Sequence, residues 1–305
     1  MTMTARTVAG PVFSFDGQAQ SFDRRAGLPP AAAEAVARAV AELAAAVNPE
    51  AGGLLMDLGA GTGEIGVQLA AGAGNADDAG DARDSGTVGD RLAYLGIDLS
   101  FAMLAAFRAK LHRPAGGARR AALVAADGDR PWPLRAGRVR AIFLSRAAHL
   151  LDPERLLAEA SRAAHPGGSL LILGRVRREP DSLRATVRRE MQRLLAARGV
   201  AARSGEEARR RLLTLAAERG GRPLPPRVAA TWGVVERAAE SLAAWRATPG
   251  LAGTAVAPEL RCDVFDRLAA WAERRYGGLD AVRQATERYE LTAVRLPPRD
   301  GGESR

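Results

Sequence analysis

The chain reads as a doubly wound α/β protein, and three observations carry that expectation. Apolar runs of strand length recur at 53–58, 94–98, 121–125, 141–144 and 169–173, with the unbroken apolar character of strands buried in a parallel sheet. Segments of helical spacing fall between them, such as Ile65, Val67, Leu69 and Ala70, or Met103, Leu104 and Phe107. An acid stands at or just beyond the end of each of the first three runs, as Asp57, Asp98 and Asp127. In a doubly wound sheet such strand ends open onto one crevice where ligands bind.

The elements follow in order. Phe13, Phe15 and Phe22 punctuate a polar lead-in, and Ser21-Phe22-Asp23-Arg24-Arg25 precedes an alanine-rich helix from about Pro30 to Val47. The first strand enters a glycine-dense turn, 59–66, which brings backbone N–H groups close to a ligand at a helix start. The stretch 72–90 is rich in turn formers and poor in apolar residues, which predicts a passive surface insertion. After the second strand Ser100 is placed to cap a helix. The turn Pro131-Trp132-Pro133-Leu134 separates strands three and four, and Pro166-Gly167-Gly168 precedes strand five. Then come a helix at 181–198, stopped by Gly199, and a second at 204–219, where Ser204 and Glu207 suggest a capping box and Gly220-Gly221 a stop. Pro223–Pro226 returns the chain to the core. A sixth strand at 228–232, a helix at 259–275 and a last strand at 289–296 complete it.

Two cofactors compete for the glycine turn. Gly61, Gly63 and Gly66 satisfy G-x-G-x-x-G, a dinucleotide fingerprint that is weak on its own. Asp57 argues against it, because a carboxylate in this crevice repels a pyrophosphate but favours a cationic ammonium. The spacing Asp57-x-Gly59-x-Gly61-x-Gly63 resembles the first motif of the class I S-adenosylmethionine-dependent methyltransferases, in particular their small-molecule, type 11-like branch. GIDLSFAML resembles the second motif, and the matches continue in order across about 22–174. A purely structural glycine turn, and acids that only cap helices, are the plain alternatives.

The resemblance implies a Rossmann-like, seven-stranded sheet, mostly parallel with an antiparallel last strand, plus a helical cap inserted after strand five. It divides the chain into 1–178, the lead-in and cofactor core; 179–226, the cap; and 227–305, completion of the core. It implies S-adenosylmethionine as cofactor, held by Asp57, Gly59, Ala60, Gly61, Gly63 and Ser145, with Asp98 accepting the ribose hydroxyls. Leu99, Met103, Asp127 and Gly128 would border the adenine. Arg24, from an aromatic-Asp-Arg element, would pair with the cofactor carboxylate or stand as a surface arginine. His149, after strand four, is the candidate general base or a residue packed at a helix start. Arg146 would hold an anionic substrate group or face solvent.

Composition narrows the function classes. A chain of 305 residues with 47% apolar content can bury a full α/β core. The lack of a long apolar run or a signal-peptide layout leads to the expectation of a cytoplasmic protein without a membrane partner. Cys262 is the sole cysteine, which excludes an intramolecular disulfide framework, a multi-cysteine zinc site or a cysteine-ligated iron–sulfur cluster; no metal is expected. The net charge of +9 rests almost wholly on arginine, Lys110 being the only lysine, and the arginines lie beside glutamates on helices. That pattern reads as solvated faces, against a nucleic-acid partner. The expected function is methyl transfer to O, N or C of a small molecule. A carboxyl methyltransferase of a carrier-bound acyl chain and a non-catalytic cofactor-binding regulator are the alternatives. Nothing in the chain assigns an oligomeric state.

Overall fold

The computed structural model describes residues 23, 27–47, 52–72, 92–111, 121–201, 205–248, 250–251 and 254–297. Helix α1 (Pro30–Val47) leads into strand β1 (Gly53–Leu58) and helix α2 (Gly66–Ala71). Next come β2 (Leu92–Asp98), α3 (Phe101–Leu111), β3 (Ala121–Ala125) and β4 (Val139–Ser145), then a 3₁₀ turn (Ala148–Leu150), α4 (Pro153–Ala163) and β5 (Ser169–Arg178). The chain ends with α5 (Leu183–Ala196), α6 (Gly205–Glu218), β6 (Arg222–Pro223), β7 (Arg227–Glu236), α7 (Ala238–Arg246), α8 (Pro258–Tyr276) and β8 (Arg283–Leu296).

The sheet order is β3-β2-β1-β4-β5-β8, with β6 and β7 both paired to the far edge of β8. The first five strands are parallel, and β8 alone runs against its neighbours, as expected. The order reverses between β1 and β4, so the crevice of a doubly wound sheet opens beside their C-terminal ends. Residues 73–91, which contain most of the expected insertion, lie outside the described residues.

Two apolar layers sandwich the sheet. On one face α1, α2 and Phe107 of α3 pack on Leu55, Phe143, Ile172 and Leu291. On the other, α4 and α6 pack on Met56, Ile142, Leu171 and Val294. A third core joins α5, α7 and α8 through Val187, Leu195, Leu242 and Leu268. Of the two helices that follow β5, α6 therefore covers the sheet, while α5 joins helices from between β7 and β8.

Local chemistry agrees with these elements. Ser100 caps α3 by accepting the Met103 N–H at 3.2 Å. Ser182 caps α5 and Asp152 caps α4, where Pro153 occupies the first turn. Gly220, with φ 84°, ends α6. Ser204 lies outside the described residues.

Two strands run further than their apolar content predicts. β5 and β8 pair over ten residues, from Ser169↔Leu296 to Arg178↔Glu287. Beyond Gly174, which is level with Ser145 at the end of β4, the strands are stitched by charge. Arg175 donates to Glu290 at 2.9 Å, and Arg178 pairs with Glu287 at 2.5 Å. An arginine-rich segment read as a connection becomes strand because its acids lie across the sheet. The pair raises a wall above the crevice.

Leu268 of α8 is fully buried in the third core. Leu268→Ala should cost about 2–5 kcal/mol, measured as a loss of denaturant midpoint at unchanged slope.

Candidate cofactor and acceptor site

The glycine turn is held from β2. The N–H groups of Gly59 and Ala60 both donate to the Ile97 carbonyl, at 2.8 and 3.0 Å. The Asp98 carboxylate accepts from Gly61 N–H on one oxygen and from Ser100 N–H on the other, each at 2.8 Å. Gly59, Gly61 and Gly63 all have positive φ, 77°, 55° and 74°, a conformation costly for any residue with a Cβ. At Gly63 a Cβ would also meet the Phe107 ring at 2.1 Å, whereas at Gly61 it would point into open space. The turn therefore presents bare backbone to the crevice.

Asp57 lies beneath the turn, 3% exposed. Its Oδ2 accepts the Tyr94 hydroxyl at 2.8 Å, and its Oδ1 is buried with no hydrogen-bond partner. Burial raises its pKa to about 7, opposed by the Tyr94 hydrogen bond and assisted by the charge of Asp98. A buried acceptor without a donor is costly, and a cationic ammonium is the group that would satisfy it. The open side of Gly61, the unpartnered Asp57 oxygen and the Asp98 carboxylate at the β2 end together fit S-adenosylmethionine.

Charged pairs lace the turn to other segments. Glu64, inside the turn, accepts Arg146 Nη2 at 2.8 Å and the Leu28 N–H. Asp23 accepts Lys110 Nζ at 2.6 Å and the Thr62 hydroxyl. The acid of the aromatic-Asp-Arg element thus reaches the turn. Arg24 itself lies outside the described residues.

The other expected residues divide. Leu99 is exposed at the β2 end, and beside it Phe101, which sequence reasoning did not single out, is 69% exposed. Two apolar side chains presented to solvent at a strand end suit the flat face of an adenine. Met103 is 2% exposed, packed within the protein rather than presented at the surface. Asp127 is half-buried and accepts Asp129 N–H at 2.9 Å. Gly128 is buried under Leu151. Ser145 shares a 2.6 Å hydrogen bond with the hydroxyl of Tyr289, which is buried and has its pKa raised by that burial. Tyr289 was visible only as an aromatic in the last strand; the antiparallel register brings it to the crevice floor.

Arg146 is the one described non-glycine residue with positive φ, 59°. Its guanidinium bonds Glu64, which ties the end of β4 to the glycine turn. His149 follows in the 3₁₀ turn with an exposed edge and packs against Gly205 at the start of α6. Partial loss of water, then the Arg188 guanidinium, lower its pKa against a hydrogen bond with the Arg146 backbone. The imidazole is thereby neutral at pH 7 and able to accept a proton.

Residues 56–172 match the family model described as a methyltransferase domain. The likeness to a methyltransferase domain lies in that segment. The matched segment runs from the middle of β1 into the start of β5 and so contains the turn and the three strand-end acids. No curated protein matches the chain. Among solved structures, a protein provisionally described as a type II methyltransferase from Anaeromyxobacter dehalogenans is 19% identical, with a TM-score of 0.53 over 87% of this chain and 97% of its own. That likeness bears out the fold. A protein provisionally described as a methyltransferase from Bacillus halodurans C-125 is 14% identical, with a TM-score of 0.49 over 85% and 98% of the two chains. The geranyl diphosphate C-methyltransferase of Streptomyces coelicolor A3(2) is 16% identical, with a TM-score of 0.42 over 85% and 80%. No described helix is long and apolar enough to cross a membrane.

The raised Asp57 pKa makes two effects of pH testable. In the free protein the folded state holds a proton that the unfolded chain releases near 3.8. Stability therefore falls as pH rises from about 4 through about 7, by on the order of 1 kcal/mol per unit of displacement. Asp57→Asn should flatten that slope in thermal melts at pH 5 to 8. Cofactor binding favours the carboxylate, so affinity for S-adenosylhomocysteine should rise over pH 6 to 8 in the natural protein and not in Asp57→Asn, as read by calorimetry.

Proposed function

We propose that the chain transfers the methyl group of S-adenosylmethionine to an oxygen, nitrogen or carbon of a small-molecule acceptor, with His149 taking the acceptor's proton where one is lost. The observation that carries this reading is the buried, unpartnered Asp57 oxygen beneath a turn of bare backbone: it suits a cationic cofactor and disfavours a pyrophosphate. When bound, S-adenosylmethionine supplies a methyl group already activated by its sulfonium.

The chain's own residues then bind and position. Asp57 takes the ammonium, Gly59, Ala60, Gly61 and Gly63 line the approach, and Asp98 uses its remaining lone pairs for the ribose. Leu99 and Phe101 cover the adenine, with Asp127 and Gly128 at its edge; Met103 supports them from within the protein. Ser145 and Tyr289 form the floor under the acceptor. Arg146, committed to Glu64, holds the turn in register with β4. Orientation supplies most of the acceleration, since effective molarities reach roughly 10⁵–10⁸ M for well-placed reactants. His149 adds general-base catalysis, because its lowered pKa keeps the imidazole neutral at pH 7.

Incubation with methyl-labelled S-adenosylmethionine and a cell extract, followed by mass identification of the labelled compound, should yield a small-molecule product. An absence of product despite binding of S-adenosylhomocysteine would leave a cofactor-binding protein without turnover. With the acceptor in hand, His149→Ala should lower turnover by about 10²–10⁴-fold and remove the acidic limb of the pH profile at near-unchanged cofactor affinity. Near-normal turnover in a variant with an unshifted thermal midpoint would make His149 a packing residue.

A further inference from the structure

The wall that β5 and β8 raise above the crevice carries a cluster of arginines. Arg178 at the end of β5, Arg184, Arg188 and Arg189 of α5, and Gln192 and Trp245 surround a cavity of about 260 Å³. Arg184 and Arg188 are one helical turn apart and so project from the same side of α5. Partial loss of water at the cavity and then the neighbouring charge of Arg178 hold both below the ordinary guanidinium range. Like charges gathered in this way are unfavourable unless something negative sits among them.

The nearby acids offset only part of the charge. Glu287 is taken by Arg178 at 2.5 Å. Glu236 is buried and accepts the backbone N–H of Arg184 at 3.1 Å, so it serves the start of α5. Arg189 turns to the Pro180 carbonyl and the Thr186 hydroxyl. Among the described residues, no ion pair engages the guanidinium of Arg184 or Arg188. Arg188 is also close enough to His149 to disfavour its protonation. Arg178 ends β5, which runs beyond the level of Ser145 at the end of β4, so the cluster lies off the same C-terminal edge of the parallel strands as the turn that carries His149.

We infer that this cavity binds an anionic group of the methyl acceptor, a carboxylate or a phosphate, between Arg178, Arg184 and Arg188, with Trp245 covering the adjoining apolar part. The inference rests on the small-molecule reading and narrows it to acidic acceptors. Guanidinium forks match the oxygens of either group. A volume of about 260 Å³ suits one such group and its immediate carbon frame, which favours a free small molecule over the docking helix of an acidic carrier protein.

Trp245 supplies the readout. Its fluorescence should change saturably on titration with inorganic pyrophosphate or with 4-hydroxybenzoate, the two arms separating phosphate from carboxylate recognition, and the change should vanish in Trp245→Phe. Arg184→Gln/Arg188→Gln should weaken the effective anion by at least about tenfold while leaving S-adenosylhomocysteine affinity unaltered. Arg188 is exposed, so Arg188→Gln alone keeps the fold and should show the same direction if the double variant does not. Absence of saturable binding by either anion, equal affinity in Arg188→Gln, or binding only of an acidic acyl carrier protein would overturn the inference. Binding of S-adenosylhomocysteine in the same samples reports separately on the methyltransferase reading.

Discussion

The site depends on the bridge that Asp98 makes between the glycine turn and the start of α3. One carboxylate accepts two backbone N–H groups from segments 39 residues apart, Gly61 and Ser100. Three consecutive alternate glycines in the left-handed region have little intrinsic preference for one shape. The Asp98 carboxylate and the Ile97 carbonyl select it. A turn held in this way offers preorganised backbone to a ligand, and the buried Asp57 carboxylate beneath it is what disfavours a pyrophosphate.

Electrostatics around that turn trade stability for binding. Asp57 is buried with one oxygen unserved, a cost to the free protein that a bound ammonium removes. The other acids of the region are paired: Glu64 with Arg146, and Asp23 with Lys110. These pairs join the turn to the end of β4, to α3 and to the segment before α1. The unmatched group is thus confined to the place where the cofactor's positive end belongs.

Above the crevice, charge rather than apolar burial extends the architecture. The β5–β8 ladder continues through Arg175–Glu290 and Arg178–Glu287, and α5 turns off it to pack with α7 and α8. The proposed acceptor side is therefore assembled from β5, α5, α7 and the turn after β4, and the proposed cofactor side from β1, β2 and their turns.

The glycine turn and the strand ends around it were legible in sequence because their signals are local. An apolar strand, an acid at its end and glycines at fixed spacing each act within a few residues, so Asp57, Gly61, Gly63, Asp98 and Ser100 could be placed by number. The α/β alternation and the antiparallel last strand follow from the same short-range patterns and the resemblance they carry. Tertiary structure alone decided what depends on partners far along the chain: Tyr94 on Asp57, Glu64 on Arg146, Tyr289 on Ser145, and the arginines of β5 against the glutamates of β8. Burial of Met103 and the gathering of Arg178, Arg184 and Arg188 belong to the same class. Charged side chains have no period that reveals their partners, since a solvated arginine and one aimed into a cavity look alike until packing brings the other segments beside them.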